Sequence, residues 1–60
     1  MSYFIRIYDM LLNDNDIPKY VKQDVLLRVQ DWFEAGNSLD HDYIVRQYEY
    51  LIRVKESIKL

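Results

Sequence analysis

One tripeptide in this chain has the residue types of a reactive site. Asp40-His41-Asp42 sets an imidazole between two carboxylates, a set that could ligate a metal or act as a general base. The spacing argues otherwise. Consecutive residues on a helix do not face one another, so the three side chains diverge. The tripeptide reads as a helix start, with acidic residues in the cap and first turn and a solvated histidine. Asn13-Asp14-Asn15-Asp16 carries the alternating oxygens that open a calcium loop. That loop needs glycine at its sixth position and a bidentate glutamate at its twelfth. Counted from Asp14 the sixth place is Lys19, and counted from Asn15 the twelfth is Leu26. The run therefore reads as a polar turn.

Nucleophilic chemistry lacks its parts. Ser2, Ser38 and Ser57 have no G-x-S-x-G setting, and one histidine is available to serve any of them. A single glycine, Gly36, cannot make a phosphate-cradling loop. Cysteine is absent, which removes disulfides and thiolate metal sites. No enzymatic activity, no cofactor, no metal and no small-molecule substrate are expected.

The elements that would position these residues are helices. Punctuation falls at two places, Asn13 to Pro18 and Gly36 to Asp40, and divides the chain into three segments. Residues 2–12 place Phe4, Ile5, Tyr8, Leu11 and Leu12 at helical steps behind Ser2 as N-cap. A strand competes there, because Tyr3 to Tyr8 is rich in β-formers, but a lone strand would have nothing to pair with. Residues 17–35 read as a helix capped by Asp16, with Pro18 in its first turn and Gly36 ending it. Val21, Val25, Arg28, Val29 and Trp32 form its stripe, widened by Leu26, Leu27 and Phe33. Residues 41–58 read as a third helix with Asp40 as N-cap. Its inward stripe is Ile44, Tyr48, Leu51, Ile52 and Lys55, and a Glu49–Arg53 pair supports it. Short connections make successive helices antiparallel neighbours. The expected fold is all-α, a single three-helix bundle over residues 1–60. Its core should draw on Phe4, Ile5, Tyr8, Leu11, Leu12, Val21, Val25, Leu26, Val29, Trp32, Phe33, Ile44, Tyr48, Leu51 and Ile52.

Composition narrows the function. The 60 residues are 50% hydrophobic and 15% aromatic, too apolar for a disordered chain. A chain of this length buries only about 60% of its unfolded surface and has marginal stability. Eight basic and ten acidic residues give a net charge of −2, which does not favour phosphate binding. Nucleic-acid binding stays as the alternative on Arg46, Arg53, Lys55 and Lys59. The residues that would lead a recognition helix, Asp40 to Tyr43, include two carboxylates that would meet the phosphates with negative charge and speak against it. No run of 18 apolar residues suggests a membrane span, and Met1 to Arg6 does not resemble a signal peptide. A cytoplasmic protein with no membrane contact is expected.

The six tyrosines are the remaining signal. Tyrosine pairs an apolar body with a polar tip and is enriched at interfaces. So small a bundle cannot bury Trp32, both phenylalanines and all six tyrosines. Tyr43, Tyr50 and Val54, on one side of the third helix, are the candidate protein-binding residues, followed by Tyr3 and Tyr20. The expected partner is the chain itself or a host or phage protein.

Two runs carry a resemblance: Gln30-Asp31-Trp32-Phe33-Glu34-Ala35-Gly36, and Asp40-His41-Asp42-Tyr43-Ile44-Val45-Arg46-Gln47 continuing into Tyr48-Glu49-Tyr50. Over about residues 18 to 53 the chain resembles a small uncharacterised family encoded in prophages and mobile elements of Gram-positive bacteria. It departs from that family at Asp42, where the family often has proline, and at Phe33 and Glu34. The resemblance implies a phage-borne accessory protein without assigned catalytic residues.

Overall fold

The computed structural model describes residues 2–58, so Lys59 of the basic cluster lies outside the described residues. Three helices follow in order: α1 (Tyr3–Asn13), α2 (Lys19–Glu34) and α3 (Asp42–Ile58). The protein is an all-α three-helix bundle, and its extents are 37 × 21 × 16 Å.

Local chemistry sets the helix ends. Ser2 caps α1, its hydroxyl oxygen accepting the Ile5 N–H at 3.3 Å. After α1, Asp14 turns extended, and its carboxylate accepts the Asp16 N–H at 3.0 Å. Pro18, rather than Asp16, is the N-cap of α2, and its carbonyl accepts from Val21 and Lys22. Ile17 precedes a proline, and the proline ring disfavours helical geometry in that residue. The helix thus begins two residues later than the apolar pattern suggests, and Ile17 is freed to plug the core at 3% exposure.

α2 ends as its glycine predicts. Gly36 has φ +87°. Its N–H donates to the Phe33 carbonyl, and the Asn37 N–H donates to the Trp32 carbonyl. Together these make a Schellman motif. The start of α3 differs from expectation. Asp40 sits inside a turn in which its own N–H donates to the Ser38 hydroxyl and the His41 N–H to the Ser38 carbonyl. The capping acceptor is instead His41, whose Nδ1 takes the Tyr43 N–H at 3.1 Å.

The core is Ile7, Ile17, Val21, Val25, Val29, Ile44 and Leu51, with Gln47 buried among them. Arg28 reaches Gln47 with a long 3.5 Å hydrogen bond and pairs with Asp24 at 2.7 Å. Among the described residues no buried side-chain polar atom lacks a partner, and no ion pair joins Glu49 to Arg53. α3 packs most broadly on α1 and more narrowly on α2.

The expected core holds for Ile44, Leu51 and the flanking Tyr48 of α3, for the valines and flanking Trp32 of α2, and for Phe4 and Leu11 of α1; Ile52 is only partly covered and lies outside it. Ile7 is fully buried, with Phe4, Met10 and Leu11 packed beside it. Ile5, Tyr8 and Leu12 point outward, as do Leu26 and Phe33 on α2. The reason lies in α1 itself. Its polar side chains are Arg6, Asp9 and Asn13, a stripe at i, i+3 and i+7. The remaining surface is apolar and wider than the roughly 100° arc one core can cover.

Candidate interaction surface

The residues singled out for chemistry serve structure. His41 Nδ1 is occupied by the Tyr43 N–H, and the imidazole lies 4.9 Å from the Trp32 ring. Trp32 stacks on Tyr43 at 4.3 Å and 13°, and its indole N–H donates to the Ser38 carbonyl at 2.7 Å. One tryptophan thus ties the end of α2, the connecting loop and the start of α3. Asp40 and Asp42 are exposed, and no three His, Asp or Glu among the described residues are grouped to hold a metal ion.

The Asn13–Asp16 turn is clamped to α3. Asp14 pairs with Lys55 at 2.6 Å, its side chain only 11% exposed. The Lys55 hydrogen bond holds the Asp14 carboxyl below the usual carboxylate range. Burial opposes that shift, and the Asp16 N–H and the Lys55 charge assist it. Lys55 is raised in turn, first by its hydrogen bond to Asp14. Its place in the inward stripe of α3 is explained by this partner.

The three candidate binding residues do not share one patch. Tyr43, Tyr50 and Val54 are each half-buried against the core. Tyr43 belongs to the Trp32 stack. Tyr50 has the Arg28 guanidinium 5.7 Å from its ring centre. Tyr50 and Val54 come together with Pro18, Tyr20 and Ile58 around a shallow cleft. Tyr20 is 74% exposed there. Tyr3 packs edge-on against Tyr48 at 5.3 Å, with Arg6 over both rings.

The broader apolar surface lies elsewhere, where α1 and α2 face each other. Phe4, Tyr8, Leu26, Val29, Phe33 and Leu39 line an open channel, with the Gln30 amide and the Tyr8 hydroxyl its polar groups. Of these, Tyr8 keeps 49% of its surface exposed, Leu26 37% and Phe33 60%. Sequence reasoning placed most of these residues in the core. The signal that could have found the channel is the surplus: two parallel i, i+3, i+7 stripes on α1, Phe4-Ile7-Leu11 and Ile5-Tyr8-Leu12, of which one bundle can bury only one.

Fold and surface together define a small all-α protein with more apolar surface than its own core covers. A model of a family of unknown function (DUF6877) matches residues 6–56, and the chain belongs to that family. No curated protein and no solved structure matches it. The matched span includes most of α1 and nearly all of α3, so the family pattern extends over all three helices.

Proposed function

We propose that this is a small interaction protein that binds protein through the apolar channel between α1 and α2. One observation carries the reading: in a chain with so little interior, Tyr8 and Phe33 stand about half or more exposed, and Leu26 more than a third, around one channel that no ionised side chain lines. Contiguous exposed apolar surface of this kind marks interaction sites. A second contact at Tyr50 and Val54 is supported by their cleft with the exposed Tyr20; Tyr43 would add to binding only indirectly, by holding the Trp32 corner. Origin in a prophage or mobile element of Gram-positive bacteria rests on the resemblance over residues 18 to 53. A cytoplasmic setting rests on the sequence grounds above; no described helix is long and apolar enough to cross a membrane. A non-catalytic role is supported by the lone imidazole, which is engaged as a helix cap. Nucleic-acid binding has weaker support, since Lys55 is engaged with Asp14 and leaves Arg46 and Arg53 of its described cluster.

Affinity capture from nuclease-treated host lysate tests the reading. The wild-type chain should retain a host or phage protein that the Tyr8→Lys/Phe33→Glu double variant loses. Equal retention by both moves the contact away from the channel. Capture abolished by nuclease favours the nucleic-acid alternative.

A further inference from the structure

We infer that the channel and the outer stripe of α1 form a twofold interface with a second copy of this chain, an inference that rests on reading the channel as an interaction face. Three observations favour that occupant. The first is area. Ile5, Tyr8, Leu12, Leu26 and Phe33 remain 53%, 49%, 65%, 37% and 60% exposed. At roughly 200 Å² for a fully exposed residue of this size, that is about 500 Å² of apolar surface. A standard interface takes about 800 Å² per partner, and in homodimers about two thirds of it is apolar. The surplus on one chain therefore matches what one side of a homodimer requires.

The second is shape. A twofold contact uses the same patch on both copies, so the patch must supply both knob and hole. This one does. Ile5, Tyr8 and Leu12 have the i, i+3, i+7 spacing of a helix that docks into a groove, and Tyr8 is also a wall of the channel. The third is charge. The chain carries a net charge of −2, yet no ionised side chain lines the channel; charge enters only at the Ile5 end of the outer stripe, where Arg6 and Asp9 share its groove with opposite signs. Two copies can close there without like-charge repulsion, and a strongly charged partner finds nothing to pair with.

Sedimentation velocity of the full chain from low micromolar to near-millimolar concentration tests this. The expected result is a concentration-dependent species of twice the 7.4 kDa chain mass. Leu12→Lys and Phe33→Glu, both at exposed positions, should keep the helical circular dichroism spectrum. Each should raise the dimer dissociation constant about thirtyfold or more. A monomer at every concentration overturns the inference, as does a dimer that both folded variants leave intact. The interaction reading fails separately, if lysate capture of a host or phage protein is unaffected by Tyr8→Lys/Phe33→Glu.

Discussion

Two residues at the α2–α3 corner do structural work that can be measured singly. Trp32 is half-buried, stacked on Tyr43 and bonded to the Ser38 carbonyl. Trp32→Phe keeps an aromatic face and loses the hydrogen bond, so it should cost about 1 kcal/mol. Trp32→Ala loses packing and stack together and should cost about 3 kcal/mol, the low end of the range for large aromatic deletions, because the ring is only partly enclosed. Urea melts of the two variants check the ordering, and equal costs would mean that the ring contributes nothing beyond its N–H. Gly36 is a different case. At φ +87° an added Cβ meets nothing within 4 Å. Gly36→Ala therefore costs about 1–2 kcal/mol of pure backbone strain, and Gly36→Asn should cost less, in the same melts. The glycine's role was legible in the sequence, since a lone glycine at the end of a helical pattern has one common use. The cap at His41 was not legible. Asp40 is the better capping type, and only the Ser38 turn removes it from the cap position.

At the scale of elements, α1 shows how far periodicity reaches. Its helical spacing was readable, and so was its cap. Its buried face was not, because both apolar stripes satisfy the same spacing. Substitution distinguishes them. Ile7→Ala should cost about 2–4 kcal/mol, as cavity-forming core deletions do. Leu12→Ala should stay within about 0.5 kcal/mol when measured at low protein concentration. Comparable losses at the two positions would mean that the helix is rotated. The Asp14–Lys55 clamp between the α1–α2 turn and α3 adds a pH dependence. Asp14 is lowered in the folded state, so its contribution is complete above the unfolded carboxylate pKa of about 3.9 and is lost as pH falls through the folded value. Lys55 is raised, so its contribution is present below about 10.4 and is lost as pH climbs past that. Asp14→Asn should flatten the thermal-stability profile below about pH 4 relative to wild type; an unchanged acid limb would leave the clamp without energetic weight. No sequence rule pairs residues 14 and 55. Their meeting depends on α3 running in the same direction as α1, with Tyr3 beside Tyr48 at one end and Asp14 beside Lys55 at the other.

For the whole molecule, shortness is the governing fact. Too little interior is available for the apolar residues supplied, and part of the excess lies on the channel side. If that side closes against a second copy, stability is linked to association by mass action. The melting temperature of the wild-type chain should then rise with protein concentration, and that of Phe33→Glu should not; differential scanning calorimetry at several concentrations decides it. The sequence by itself determined three helices, their approximate ends, the glycine stop and the presence of surplus aromatics. These are local or compositional properties, set by spacing, caps and backbone freedom within a few residues. Which apolar stripe of α1 faces inward, that Ile17 rather than Leu26 or Phe33 fills the core, and that Tyr8, Leu26 and Phe33 meet at a channel between α1 and α2 were decided by tertiary structure alone. The reason is physical. An amphipathic pattern states how much surface must be covered, and only the packing of α3 against the other two helices settles which part of it is.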